Sequence, residues 1–318
     1  MEGADTVVPI PQAAAGWTLG TGCLSVALYG NGGLETEYET ATLFGTAPTG
    51  VSLRQFFIAP NVSWKAGDRH AFGVSPVVVF QRFRARGLEA LGPLSSASDA
   101  VTNLGDDRAF GAGVRVGYYG RLTNRVAAGV AYQSPIFMGQ FEDYAGLLAG
   151  GGDFDVPATL VGGIAVMPND AVTVAVDVQH TRFGDVDALG HPLLPNLRDR
   201  SFGDENGPGF GWENTTVLKT GIQWQRSAWT WRGAYAFGQQ PIPESETLLN
   251  IVAPAVVEHH ATFGVTRALG GRAEVNLALI RAFSNTVSGD NPFEVAGGQR
   301  IELQMDQWEI EVGIGFGF

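Results

Sequence analysis

The sequence predicts an all-β protein, an antiparallel transmembrane β-barrel of about 12 strands with short periplasmic turns and long extracellular loops. The last segment, residues 308–318, places large apolar residues on one strand face and Glu or Gly on the other. Only 16% of the residues are charged, against about 25% in most soluble domains. No run approaches the roughly 20 consecutive apolar residues of a membrane helix, so apolar residues spread over alternate strand positions fit the composition best.

The predicted strands follow one another from the N-terminal region to the last residue. The alternation is clearest where Val172, Val174, Val176 and Val178 share one face of a strand. The strands are predicted approximately at residues 17–30, 51–65, 69–84, 108–121, 124–136, 158–167, 170–183, 215–225, 229–238, 258–269, 272–283 and 305–318. Residues 17–318 are interpreted as one barrel domain, and residues 1–16 as an N-terminal remnant.

The connections between these strands alternate between short and long. The short ones lie near residues 66–68, 122–123, 168–169, 226–228 and 270–271 and are rich in turn-forming residues. The long ones lie near residues 31–50, 85–107, 137–156, 184–214, 239–257 and 284–304. Membrane barrels sort their connections in this way, with the C-terminus on the side of the short turns.

Charge and cysteine content exclude several classes of function. The net charge of −12 argues against nucleic-acid binding, which needs clustered Lys and Arg. Cys23 is the only cysteine, so neither an intrachain disulfide nor a cysteine-based metal site is expected. The first residues lack the basic and apolar regions of a secretory signal, so either the signal was removed or the sequence is a fragment.

Five stretches, in order along the chain, resemble the FadL family of outer-membrane transporters of long-chain fatty acids and related hydrocarbons. They are residues 50–64 with 70–75 and 80–88, residues 111–118, residues 132–135 with 141–147 and 152–157, residues 207–212, and residues 239–254 with 258–264. The resemblance implies a monomer in the outer membrane of a Gram-negative bacterium. It implies passive transport with lateral release into the bilayer, and neither enzymatic activity nor a cofactor.

The resemblance also sets expectations for the two ends of the chain. The family has 14 strands and an N-terminal hatch, and the resemblance implies that this sequence lacks the hatch and the first two strands. A fragment and a natural 12-stranded barrel both remain open. The terminal Phe318 resembles the C-terminal signal of outer-membrane barrels, so barrel-assembly machinery and outer-membrane lipid are expected partners.

The arginines that follow Phe80 are the candidates for an anchor that holds the carboxylate head group of a fatty acid. Arg82, Arg84 and Arg86 share one strand face, and an Arg can hold a carboxylate with two hydrogen bonds. By the resemblance Arg82 is the best candidate and Arg84 the next. The alternative is that these arginines lie at the membrane rim.

An apolar groove for the ligand is predicted in the long loops, where clustered apolar residues need an explanation. The predicted ligand-binding residues are Phe80 beside the arginines, Phe137, Phe141, Tyr144, Leu147, Leu248 and, at the lumen or rim, Trp212. The alternative is that the loops pack on one another to cap the barrel.

A lateral exit is predicted at Gly30, Asn31 and Gly32, because glycines permit a bulge or kink in a strand and the family opens its wall at the corresponding strand. The alternative is that these residues begin a loop.

Enzyme and metal sites are not predicted. His259 and His260 are adjacent on a strand and point to opposite faces, so they cannot chelate one metal ion. The acidic loop around Asp185 and Asp187 could bind Ca²⁺, but a solvated loop is the favoured interpretation. A general diffusion porin and an outer-membrane lipid hydrolase remain the rival functions.

Overall fold

The computed structural model describes residues 3–4, 7–270, 272–294 and 297–317. They form an antiparallel all-β barrel whose strands pair in chain order. The strands are β1 Ala13–Leu19, β2 Gly22–Tyr38, β3 Thr49–Ala66, β4 His70–Arg86, β5 Asp107–Arg121, β6 Val126–Gln133, β7 Phe137–Met138, β8 Thr159–Asn169, β9 Val172–Thr181, β10 Thr215–Arg226, β11 Trp229–Gly238, β12 His259–Gly270, β13 Ala273–Asp290 and β14 Arg300–Phe316. The two-residue β7 pairs with β5 and lies off the main path. No helix in the described part of the chain is long and apolar enough to cross a membrane.

The first predicted strand, residues 17–30, is wrong as a single element. The structure splits it into β1 and β2, which pair from Ala13 with Leu28 to Leu19 with Gly22. Gly20 makes the turn between them with a φ of 61°, a conformation that glycine adopts without steric cost. The wall therefore begins at Ala13 rather than at residue 17, and thirteen strands follow one another along the main path of the described sheet.

Two of the predicted long loops are much shorter than expected. Strand β2 continues to Tyr38 and β3 begins at Thr49, and strand β13 continues to Asp290 before β14 begins at Arg300. The alternation of apolar residues stops where a strand leaves the apolar layer, whereas the backbone hydrogen bonds of the hairpin continue beyond it. Hydrophobic periodicity therefore located the membrane-level part of these strands and missed their extensions.

The two faces of the wall differ in chemistry. The outward face carries exposed apolar side chains along nearly every strand, such as Ile58, Val78, Ile164, Leu218 and Val312, as a surface in contact with lipid requires. Residues at the alternate positions point inward. In β14 the inward positions include Glu309 and Glu311, as the alternation of the sequence predicts.

The long connections gather at one end of the barrel and cover it with short helices. The α-helices are α1 Ala149–Gly152, α2 Asp187–Gly190 and α3 Leu193–Leu197. The 3₁₀ helices are Glu89–Leu94, Ser98–Ala100, Glu142–Tyr144, Phe183–Asp185, Glu244–Glu246 and Leu249–Val252. The largest buried apolar cluster of the described residues lies here, so the core of the molecule is a cap over one end of the barrel.

Strand β14 pairs with β13 from Phe316 opposite Ala273 to Arg300 opposite Asp290. Among the described residues, its other edge and the free edge of β1 have no partner strand. Phe318, which the sequence interpretation assigned to recognition by assembly machinery, lies outside the described residues.

Candidate ligand-binding site and exit path

The cap is built around aromatic residues from the wall and from one long loop. Phe83, on the inward face of β4, contacts Tyr144 edge-on with ring centroids 4.9 Å apart and Phe141 at 5.3 Å. The Tyr144 hydroxyl donates a hydrogen bond to the carbonyl of Gly105 at 2.5 Å. Four predicted groove residues, Phe141, Tyr144, Leu147 and Leu248, are buried in this same cluster.

Further buried cap residues were not predicted as part of the site. They are Phe83, Leu88, Phe202 and Phe210. They come from a strand and from two separate connections, and no local pattern in the sequence signals that those segments meet. The only available signal was the excess of apolar residues within the long loops.

Trp212 packs at the margin of the cap, where it is partly buried. Its indole N–H donates to Oδ1 of Asn250 at 2.7 Å. The Asn250 amide in turn donates to the carbonyls of Phe210 and Glu246 at 2.7 and 2.8 Å. Asn250 is fully buried, so this network ties two long loops together inside the cap.

The space left in the cap is small and entirely apolar. A cavity of about 20 Å³ remains between the loops, which is room for about one water molecule. Its lining residues are Val51, Phe83, Leu88, Leu147, Leu148, Ala149, Ala188, Pro208, Gly209, Phe210, Leu249 and Val252. The cap is therefore closed by the packing of its side chains.

A larger space lies inside the barrel on the side of the short turns. This cavity of about 500 Å³ is lined chiefly by small residues, including Gly73, Gly117, Gly129, Gly163 and Ala165. The small side chains leave this space unfilled.

A second buried cluster separates the cap from this space. It contains Phe57, Val77, Val79 and Ile136. Next to Val79, the fully buried Gln81 donates from its amide nitrogen to the carbonyl of Phe154 at 3.2 Å. Among the described residues its amide oxygen has no hydrogen-bond partner.

Two carboxyl groups flank Phe154 in the loop that follows β7. Oδ1 of Asp155 accepts a hydrogen bond from the backbone N–H of Met138 at 2.6 Å. Burial raises the pKa of Asp155 to about 6. It also raises the pKa of Asp153, and the charge of Asp187 adds to both effects. These carboxyl groups disfavour a second negative charge in this part of the cap.

The other predicted binding residues do not join the cap. Arg82 and Arg84 lie on the outward face of β4, because they alternate with the buried Gln81, Phe83 and Ala85. Arg82 forms an ion pair with Asp106, and Arg84 lies 3.9 Å from the same carboxylate. This placement favours the rim role that the sequence left as an alternative.

Phe80 and Phe137 also lie on the outward face. The ring centroids of Phe80 and Phe110 are 5.1 Å apart, and Phe137 is 69% exposed. The structure therefore separates the predicted groove residues into a buried set in the cap and an exposed set on the wall.

The predicted exit at Gly30, Asn31 and Gly32 lies at an irregularity within β2. Gly30 is opposite Phe56 of β3, but Gly33 is opposite Arg54, so Asn31 and Gly32 together face Gln55. This is a β-bulge, which bends a strand locally. The alternative that a loop begins here is wrong, because β2 continues to Tyr38.

The N-terminal segment passes beside the bulge. A Cβ atom on Gly30 would lie 2.6 Å from Cγ2 of Ile10, which is closer than van der Waals contact allows. Glycine at this position thus allows the segment before β1 to approach the wall.

In the part of the chain that the structure describes, no group of three or more His, Cys, Asp or Glu side chains is placed to hold a metal ion. His259 and His260 alternate across the wall: His259 pairs with Tyr235 through a 2.5 Å hydrogen bond, whereas His260 faces Ala236 on the neighbouring strand.

The sequence model of the family described as outer membrane protein transport protein (OMPP1/FadL/TodX) matches residues 7–291. The chain belongs to the OMPP1/FadL/TodX family. The earlier resemblance to FadL is thereby confirmed, as is the expected location in the outer membrane. The protein is an outer-membrane transport protein and not an enzyme.

Solved structures of OMPP1/FadL/TodX members have the same fold. The toluene transporter TodX of Pseudomonas putida superimposes with a TM-score of 0.69 at 18% identity, covering 97% of this chain and 82% of TodX. The toluene transporter TbuX of Ralstonia pickettii gives 0.63 at 17% identity, covering 96% and 80%. A FadL homologue of Pseudomonas aeruginosa gives 0.68 at 13% identity, covering 96% and 76%. Among curated proteins, none matches this chain.

Proposed function

We propose that the protein carries small hydrophobic molecules across the outer membrane by passive diffusion, binding them first beneath its long loops. The observation that supports this proposal is the apolar cap above the lumen. All twelve residues around its residual cavity are apolar, and apolar surfaces of this kind bind hydrophobic ligands.

Binding requires the cap to open. The residual cavity of about 20 Å³ is too small for a hydrocarbon, so the side chains of the cap occupy the ligand's place when the site is empty. Loops that open locally are drawn from the least stable parts of a protein. The ligand would then replace the contacts that these loops make with one another.

The proposed ligand is neutral. No Lys or Arg lines the residual cavity of the cap, and the arginines predicted as carboxylate anchors face outward. The raised pKa values of Asp153 and Asp155 show an environment that disfavours negative charge. TodX and TbuX, which share the fold, are described as toluene transporters. We therefore favour uncharged hydrocarbons and monoaromatics over the long-chain fatty acids that the FadL resemblance implied.

The proposed exit is the bulge between Gly30 and Gly33. A bend in β2 weakens its pairing with β3 at one level of the wall. A hydrophobic ligand in the lumen could leave there and enter the bilayer directly, without crossing the aqueous periplasm. In this scheme the protein acts as a monomer inserted by the barrel-assembly machinery.

The test is equilibrium binding to the purified full chain in detergent. The probes are toluene, a long-chain alcohol and the carboxylate of the same chain length. We expect the alcohol and toluene to bind and the carboxylate to bind more weakly. Leu248→Asp should weaken binding at least about tenfold, because it buries a charge in the cap.

The matched control is Leu104→Asp, since Leu104 is an exposed leucine of another long connection. This variant should bind like the wild type. Tighter binding of the carboxylate than of the alcohol would reinstate the fatty-acid interpretation. Equal losses in the two aspartate variants would remove the cap from the site.

A further inference from the structure

A row of arginines crosses the outward face of three neighbouring strands. Arg54 of β3 is the cross-strand neighbour of Arg82 of β4, and Arg82 is the neighbour of Arg108 of β5. Arg84 and Arg86 continue the same face toward the long loops. These five residues are the arginine patch.

The position of the arginine patch along the membrane normal follows from the aromatic residues between the patch and the short turns. Phe56, Phe80 and Phe110 form the next outward row toward the short turns. A second aromatic row, Trp64, Phe72 and Tyr118, lies nearer the short turns. Aromatic rows flank the apolar band of membrane barrels.

The distance between the two aromatic rows is close to the height of the apolar band of a membrane barrel, which is about 25 Å. Phe72 and Phe80 are separated by about 26 Å of strand, at about 3.3 Å per residue. A strand tilted by about 40° spans about 20 Å along the membrane normal over that length. The arginine patch therefore lies just beyond the apolar layer on the long-loop side, at the level of the lipid head groups.

The patch carries more positive than negative charge. Arg54 donates to Glu35 at 3.1 Å, Arg82 pairs with Asp106, and Arg86 lies 3.7 Å from Glu37. Among the described residues, no carboxylate lies within ion-pair distance of Arg108. Five guanidinium groups thus face three carboxylates.

This excess of positive charge can accommodate a further anion. Like charges that are direct cross-strand neighbours destabilise a sheet, and the row Arg54–Arg82–Arg108 places three of them side by side. The three carboxylates hold the guanidinium groups in place and leave N–H donors unused, because each guanidinium has five donors. The uncompensated charge of about +2 matches a phosphate monoester, which carries about −1.5 to −2.

We propose that the arginine patch binds a phosphate group of an outer-leaflet lipid. The planar guanidinium groups of Arg54, Arg82 and Arg108 would donate paired hydrogen bonds to the phosphate oxygens. The acyl chains of the lipid would lie against the apolar wall below, beginning at Phe80 and Phe110. The site is on the outer wall and apart from the apolar cap, and Arg54 at its edge lies opposite Gly33 of the β2 bulge.

The test is native mass spectrometry of the full chain in detergent with added bis-phosphorylated lipid A. The variant is the triple substitution Arg54→Gln, Arg82→Gln and Arg108→Gln, which removes the charged donors and keeps polar side chains. We expect the wild type to retain the lipid and the triple variant to bind it at least about tenfold more weakly, because charge-assisted hydrogen bonds are lost.

The matched control is Arg267→Gln. Arg267 also faces outward and lies over the ring of Trp229 at 5.0 Å, but it is at the short-turn end of the barrel. This variant should bind lipid A like the wild type. Loss of the lipid in the control, or its retention in the triple variant, would overturn the proposal.

Two further arms separate the possible explanations. Lipid A without its phosphates should bind the wild type as weakly as lipid A binds the triple variant, and equal binding with and without phosphate would refute recognition of the head group. Inorganic phosphate should not displace the lipid at comparable concentration, and displacement would mean that the patch binds free anions instead. Heat-modifiable gel migration checks that the triple variant is folded, and it should bind toluene as the wild type does.

Discussion

At the scale of single residues, a few polar side chains organise an otherwise apolar cap. Asn250 makes three hydrogen bonds to residues of two loops, and Glu246 accepts the backbone N–H of Leu193 at 2.8 Å. Buried polar groups are costly unless they are paired. Their pairing therefore specifies which loop lies against which.

Asn250→Leu should loosen the cap while leaving the barrel folded. The substitution keeps the side-chain volume but leaves the Trp212 indole N–H and two carbonyls without partners, at a cost of about 1–3 kcal/mol for each buried group. We expect cleavage of the long loops by added protease to accelerate on the order of tenfold. Trp212→Phe, which removes only one of the three bonds, should have a smaller effect, and an equal effect of both would contradict the network.

The cap should be more stable in mild acid than at neutral pH. The pKa of Asp155 is raised to about 6 from an unfolded value near 4. Its contribution to stability is therefore fully present below about pH 4 and is lost as the pH rises through about 6. Opening free energies of the amides in residues 139–158, measured by hydrogen exchange, should fall over this interval, and Asp155→Asn should remove most of the change.

Asp106 provides a control of opposite sign for the pH effect. The hydrogen bond from Arg82 holds the pKa of the Asp106 carboxyl below its usual range. Its stabilising contribution is present above the unfolded pKa and is lost as the pH falls through the folded one. Asp106→Asn should therefore leave the change in opening free energy between pH 4 and pH 6 in place. Loss of that change in this variant would show that Asp155 is not its source.

At the scale of elements, the wall consists of regular hairpins with local irregularities. The bulge in β2 lies at the glycines from which the sequence predicted a bulge or kink. A second register shift interrupts β13, where Ala282 pairs with Gln307 and Asn285 with Met305. One of these two irregularities is proposed as an exit, and the other provides a comparison.

Deleting Asn31 should close the proposed exit. With one residue fewer between Gly30 and Gly33, β2 can pair with β3 without a bulge. We expect uptake of toluene by cells that express the variant to fall about tenfold, while binding to the purified protein stays unchanged. Deleting Ser284 from the β13 bulge should leave uptake unchanged, and equal effects of both deletions would argue against a role specific to β2.

At the scale of the whole molecule, the barrel is closed at its long-loop end by packed side chains. An apolar plug excludes water and ions as well as ligand. The wild-type protein should therefore show little steady conductance in a planar bilayer. Replacing residues 141–152 by a Gly-Ser linker should raise the current at least about tenfold, whereas replacing the exposed residues 198–200 should not. A large steady wild-type current would favour the porin alternative.

Most of the barrel wall could be predicted from the sequence, because a lipid-facing strand must alternate apolar residues with others at a period of two. Val172 to Val178 and Trp308 to Phe316 follow this rule and are strands. The hairpin at Gly20 was missed because a two-residue turn within an apolar stretch does not interrupt the alternation. The extensions of β2 and β13 were missed because no lipid contact imposes alternation there.

The sequence by itself determined the fold class, the membrane location and the sorting of turns and loops, since each follows from local composition and period. Only the tertiary structure decided which side chains meet. It placed Phe83 and Leu248 in one cap, although they are far apart in the chain, and it turned Arg82 outward. The strand pattern groups Arg82 with Arg84 and Arg86 on one face, but whether that face is inside or outside depends on how the whole sheet curls.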